Sequence, residues 1–255
     1  MTEPPQIAQP YEPLPEDWER ALAIVAHPDD VEFGASAAIA RWTGQGKKIV
    51  YTLATSGEAG IDGMPPEEAG PLREEEQRES ARIVGVDEVE FLGFPDGVME
   101  YGLPLRRAFA RAVRQHRPEI VITGNFRDTF GGVFLNQADH IATGRAVLDA
   151  VRDAANRWVF RDLLDEGLEP WDGVRAVWAG SSPEARHAVD TTETFDLGVE
   201  SLRAHAAYLA GLGEDFPEPA ELLEGFGRQA GTRLGCRFAS PFEVYAIRMD
   251  DLDQG

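Results

Sequence analysis

The chain has 255 residues, a formal net charge of −21 at pH 7 and a single cysteine, Cys236. That length supports a sizeable core in one α/β domain, an internal disulfide is excluded, and so acidic a surface repels nucleic acid and anionic membrane alike. No apolar run approaches the roughly 20 residues of a membrane helix, and Met1-Thr2-Glu3-Pro4-Pro5 lacks the basic and apolar parts of a signal peptide, so a cytoplasmic protein without membrane insertion is expected.

A Pro-rich extended arm over 1–15 precedes a domain predicted for 16–255. Its first strand, 21–26, is apolar without alternation, as suits a strand covered on both faces; such a strand delivers its next residues to the carboxyl edge of a parallel sheet, where open α/β sheets place their sites. Those residues are His27-Pro28-Asp29-Asp30. His27 and Asp30 can give a nitrogen and an oxygen to a divalent metal while Asp29 stays free to take a proton from water. The same residues also suit a turn and helix cap.

A helix at about 33–44 and a strand at 48–54 follow, then a long loop from Ser56 through Pro71 expected to border the site, because structureless loops of that length are usually functional or disordered. Next come a helix at about 73–84 stopped by Gly85, a strand at 88–92, a helix at about 104–116 with His116 read as capping its end, and a strand at 119–123. A Gly-rich aromatic loop then reaches Asn136-Gln137-Ala138-Asp139-His140 and a helix at about 138–156, whose buried face is read as Ile141, Gly144, Leu148, Val151, Ala155 and Trp158. His140 in its first turn makes a third ligand available, and His27, Asp30 and His140 satisfy the three-ligand, open-position pattern of catalytic zinc. Beyond it, strands are read at Gly173–Ala179, Ala188–Val189 and Pro241–Met249, a helix at Phe195–Leu209, and a partly helical, exposed excursion at 211–232. The alternating order predicts a Rossmann-like α/β fold: a mostly parallel sheet with right-handed crossovers and helices on both faces.

Five segments, in order, carry a resemblance: Ala26-His27-Pro28-Asp29-Asp30, Thr55-Ser56-Gly57-Glu58-Ala59-Gly60, Arg73-Glu74-Glu75-Glu76, Leu92-Gly93-Phe94-Pro95-Asp96-Gly97 and Ala138-Asp139-His140-Ile141-Ala142-Thr143-Gly144. Together they resemble the N-acetylglucosaminyl-phosphatidylinositol de-N-acetylase family, also called PIG-L or LmbE-like, over roughly residues 20 to 210. Members of that family are zinc amidases. The resemblance implies that His27, Asp30 and His140 bind Zn²⁺, that Asp29 is the general base, and that Glu58, Arg73 and Asp96 line a sugar site. There the carboxylates would accept bonds from hydroxyls, and the arginine would offer its fork to sugar or phosphate oxygens.

One departure stands out. The family usually has histidine where this chain has Gln137, and glutamine exchanges no proton near neutral pH, though its amide N–H can still serve a developing oxyanion. The acid for the leaving amine must then come from Asp29 once protonated, or from His187 or His205 if the fold brings either inward. Asp139, which in the family can orient that histidine, is left to cap the helix. The expected function is zinc-dependent removal of an N-acyl group, an acetyl by preference, from a small-molecule amino sugar or glycoconjugate, in a protein compatible with homo-oligomers. The alternatives are a non-catalytic member that keeps zinc and a sugar pocket, and an amidase of a thiol-sugar conjugate. A phosphoacceptor domain built on Asp29-Asp30 wants a lysine after a later strand, but the only lysines are Lys47 and Lys48. These follow Gly44-Gln45-Gly46, a helix stop and not a Walker phosphate loop.

Overall fold

Leu22 to Val25 run through the middle of an eight-stranded sheet, sheathed on both sides. The computed structural model describes residues 9–213 and 215–248. Residues 1–8 of the expected arm and Met249 of the expected last strand lie outside the described residues. In chain order the elements are β1 (Glu12–Pro13), β2 (Arg20–Val25), α1 (Ser36–Gly44), β3 (Lys48–Leu53), α2 (Pro66–Ile83), β4 (Glu88–Phe91), α3 (Leu103–His116) and β5 (Ile120–Thr123). They continue with β6 (Thr129–Phe130), β7 (Phe134–Leu135), α4 (Ala138–Ala155), α5 (Asp162–Asp165), β8 (Ala176–Gly180), β9 (His187–Asp190), α6 (Phe195–Arg203), α7 (Ala206–Gly211), α8 (Pro219–Leu234) and β10 (Ala239–Ala246).

The main sheet has the order β1-β9-β10-β8-β5-β2-β3-β4, and β10 alone runs antiparallel to its neighbours. This is the expected mostly parallel α/β architecture. The alternate residues of β2 feed two cores: Ala21, Ala23 and Val25 meet Ile39 and Trp42 of α1 and Ala81 of α2, while Leu22 and Ile24 meet Phe109 and Val113 of α3 and Val147 and Ala150 of α4. After β2 the chain adds β3 and β4 on one side and then returns to place β5 on the other. That reversal opens a crevice at the carboxyl ends of β2 and β5, the usual place for a ligand in such sheets.

Several elements differ from their sequence reading. The long loop is shorter than expected, because α2 begins at Pro66, where the fixed φ of proline suits a first helical position, and Pro71 sits inside the helix. The buried face of α4 is only partly the expected one: Gly144 and Val151 are buried, with Ala142, Ala146, Val147, Ala150 and Ala154, whereas Ile141 and Leu148 are only partly covered and Ala155 and Trp158 are exposed. Small alanines let α4 approach the sheet and α3 closely, and hydrophobic periodicity weights them too little. The helix expected over 195–209 is interrupted at Ala204-His205, so that it becomes α6 and α7. The expected excursion after 211 contains a packed helix, α8, started by Pro219 and ended by left-handed Gly235. Thr129 to Leu135 forms a hairpin, β6-β7. His116 does not cap α3; its Nε2 lies 3.1 Å from Glu90 Oε2 on β4.

Candidate active site

Where β2 ends, the chain folds back on itself: Asp30 Oδ2 accepts the N–H groups of Ala26 and His27, each at 2.9 Å. The other oxygen of Asp30 lies 2.9 Å from Nε2 of His140. His27 Nδ1 completes the group, 3.2 Å from His140 Nε2 and 3.8 Å from Asp30 Oδ1. Donors bound tetrahedrally to zinc at about 2.0–2.1 Å stand about 3.3 Å apart, so two nitrogens and an oxygen at these separations match one ion.

The outer atoms of both imidazoles are held as well. Nδ1 of His140 meets Asn136 Oδ1 at 2.8 Å, and Asn136 is itself fixed by donating Nδ2 to the carbonyls of Asn125 and Arg127. His27 Nε2 lies 3.0 Å from Asp96 Oδ1 and 3.3 Å from Asp139 Oδ2. Asp139 also accepts the N–H groups of Gly97 and Met99, so it does not cap α4, as the sequence reading expected; it ties the 97–99 loop to the ring of His27. A carboxylate behind a ligating histidine fixes its tautomer and raises its basicity.

Asp29 faces elsewhere. Its backbone is left-handed, with φ of 88°, a costly conformation for a residue with a side chain. Two residues one turn apart on α2 hold it there. Gln77 Oε1 accepts the N–H of Asp29 at 3.0 Å, and Arg73 Nη2 donates to Asp29 Oδ2 at 2.5 Å and to the carbonyl of Pro28 at 2.7 Å. Arg73 Nη1 donates to the carbonyl of Gly57, and the guanidinium lies 4.2 Å from the ring centroid of Tyr208.

Charge follows geometry. Burial works against protonation of His27, but the hydrogen bonds of Asp139, Asp30 and Asp96 outweigh it and push its pKa up to about 12. His140 is raised too, burial again being overcome by the charge of Asp30. Burial pushes Asp29 up to about 7, with the Arg73 guanidinium pulling the other way. Without a metal, the carboxylates Asp30, Asp96 and Asp139 favour protons on His27 and His140, and a dication between His27, Asp30 and His140 would take the place of those protons. By both donor set and charge, these residues fit a divalent metal.

The residues expected to line a sugar site fall in different places. Asp96 borders the cavity above the metal ligands, but its carboxylate is engaged by His27 and by the N–H of Ala59. Arg73 also borders it, with its fork turned to Asp29 and two carbonyls instead of outward. Glu58 stands behind the wall, where Oε1 accepts the N–H of Asp96 at 2.9 Å and so steadies that loop. Gln137 is exposed on the cavity rim, and its side chain makes no capping bond at the start of α4. His187 pairs with Glu12 on the far edge strand, and the fully buried His205 lies 3.7 Å from Glu32, so neither borders the cavity. Sequence reasoning missed Asn136, Gln77 and Tyr208. For Gln77 a signal existed, its spacing of four from Arg73 on one helix face.

The cavity measures about 890 Å³. A model of the family described as PIG-L, GlcNAc-PI de-N-acetylase, matches residues 22–151, which hold all three metal-ligand candidates. Diacetylchitobiose deacetylase of Thermococcus kodakarensis is 29% identical over 88% of this chain and 82% of its own length. Among solved structures, N,N'-diacetylchitobiose deacetylase from Pyrococcus horikoshii superposes with a TM-score of 0.80 at 22% identity, covering 91% of this chain and 85% of that one. GalB, the 4-carboxy-2-hydroxymuconate hydratase of Pseudomonas putida KT2440, superposes with a TM-score of 0.73 at 20% identity over 91% of this chain and 98% of its own. The fold thus hosts more than one chemistry, and function must be argued from the site.

Proposed function

The chain belongs to the GlcNAc-PI de-N-acetylase (PIG-L) family, and from that premise we propose that it hydrolyses the N-acetyl amide of an amino-sugar-containing small molecule, using a divalent metal held by His27, Asp30 and His140. Zinc suits the two-imidazole, one-carboxylate donor set best. The observation that carries the reading is the division of labour between adjacent residues. Asp30 turns to His27 and His140, while Asp29 turns away to Arg73 and remains outside the ligand group.

Lewis-acid polarisation of the amide carbonyl and acidification of water are what a metal supplies at such a site. Asp29 takes the proton from the attacking water, and its charge partner Arg73 favours the carboxylate form that a base needs. The Gln137 amide offers an N–H to the developing oxyanion from the rim. With no histidine at that position, the proton held on Asp29 passes to the departing amine, so that one water and one amide become acetate and a free amino sugar. Gln137 also favours a second reading, a metal-retaining sugar-binding protein without turnover. Metal analysis combined with acetate release from N-acetylglucosamine and N,N'-diacetylchitobiose separates the two. The first reading expects one metal per chain and acetate formation, both lost in the His27→Ala, His140→Ala double variant; a metal-loaded wild type that releases neither acetate nor free amine sinks it.

A further inference from the structure

The cavity extends well past the metal ligands. Its volume of about 890 Å³ lies at the upper end of the roughly 300–1,000 Å³ of sites that hold drug-sized ligands, more than one amino-sugar ring needs. Away from His27 and His140, its wall is built by Phe33, Phe195, Leu212, Leu223 and Phe226, drawn from the turn before α1 and from the α6–α8 region. Phe226 is 58% exposed and Leu212 38% exposed, apolar surface left open where a ligand can cover it.

The same wall is poor in cations. Among the described residues, its only guanidinium or ammonium groups are Arg73 and Arg233. Arg73 is committed to Asp29 and two carbonyls; Arg233 donates to the carbonyl of Gln9 and to the Tyr11 hydroxyl, with its guanidinium 3.6 Å from the centroid of the Tyr11 ring. Arg233 stands by Tyr11 next to β1, five places from β2 in the sheet order, so around the ligands Arg73 and a bound dication would supply three positive charges against the four carboxylates Asp29, Asp30, Asp96 and Asp139. A phosphate or carboxylate beside the ligands meets net negative charge and an Arg73 already committed to Asp29 and two carbonyls.

Building on the deacetylase reading, we infer that the substrate is an N-acetylhexosaminide whose second group is apolar, an alkyl or aryl aglycone lying on Leu223 and Phe226, and that a phosphate or carboxylate directly on the sugar is discriminated against. Apolar contact attracts the first class, and like charge repels the second.

The test compares acetate release by metal-loaded wild type from N-acetylglucosamine, from both anomers of its octyl glycoside, and from N-acetylglucosamine 1-phosphate. The expected kcat/KM for one octyl anomer exceeds that of the free sugar at least about tenfold, the phosphate falls at least about tenfold below it, and Phe226→Ala lowers the octyl-to-free ratio at least about fivefold through KM. An octyl glycoside no better than the free sugar, or a phosphate ester turned over as well, overturns the inference while leaving the deacetylase reading standing. Calorimetric binding of the octyl glycosides and the free sugar to the Asp29→Asn variant reads the apolar preference without turnover. If no sugar yields acetate, the deacetylase reading fails, and this ranking alone decides the inference.

Discussion

Asp139 Oδ2 lies 3.3 Å from His27 Nε2 across 112 residues of chain, and His140, the next residue, faces His27 from its Nδ1 side at 3.2 Å. One turn of α4 thus supplies one candidate ligand and orients another.

Removing the Asp139 carboxylate should therefore loosen the metal without removing a ligand. Asp139→Ala is expected to weaken metal affinity about 10- to 100-fold, the usual cost of losing a carboxylate behind a ligating histidine. Competition with a chelator of known affinity measures it; unchanged affinity would show that Asp96 alone suffices to hold His27.

Asp29→Asn should keep the metal and lose turnover, because Asp29 stands outside the ligand group. A general base contributes about 100-fold to 10,000-fold. Single-turnover rates at matched metal occupancy test this, and a variant within a few-fold of wild type removes Asp29 from the mechanism.

Gln137 is exposed, so water can partly replace its amide, and Gln137→Ala is expected to lower kcat and kcat/KM together by about tenfold or more, below the 100- to 1000-fold seen for enclosed oxyanion donors. Gln137→His should raise activity and add a limb to the pH–rate profile between about pH 6 and 7, where histidine titrates. A Gln137→Ala enzyme with wild-type kinetics would place that side chain outside the reaction.

Far from the site, Glu16 gives a stability test. Burial pushes its carboxyl up, but bonds from Arg41, Gln45 and Trp42 outweigh this and hold it below the ordinary glutamate value. A depressed folded-state pKa stabilises the fold above the unfolded pKa of about 4.5 and ceases to do so as pH falls through the folded value. The Tm gap between wild type and Glu16→Gln should be full at pH 6 and close as the pH falls below the ordinary glutamate value and through the lower folded one. A gap that persists undiminished at pH 3 would mean that packing, not charge, is responsible.

How much of this was legible before the structure depends on the kind of signal. The run Leu22 to Ala26 predicted a strand buried on both faces because a central parallel strand must be apolar throughout, and the order of strands and helices prescribed the sheet. The grouping of His27, Asp30 and His140 was readable because each cluster follows a strand, and the two strands, β2 and β5, are neighbours. The bonds from Asp139 to the 97–99 backbone and from Glu58 to Asp96 were not. Such contacts join loops whose relative positions no local period encodes. Arg73 and Gln77 lay between these cases: their helical spacing was visible, but not that their common face would meet the left-handed Asp29.

β10 joins two parts of the sheet, pairing through Ala239–Phe242 with β9 and through Phe242–Ala246 with β8. Among the described residues, β1 pairs with the sheet only through β9, and β9 reaches β8 only across β10. The β1-β9 pair, which can form without β10, is therefore joined to the rest of the main sheet by β10. Seated between its two neighbours, β10 also places Ala239, Ser240 and Pro241 on the cavity wall. A proteolytic nick in the short turn between α8 and β10 would accordingly act like a zipper pulled from its fastened end, undoing the ligand-binding wall before the metal ligands on β2 and α4 are disturbed.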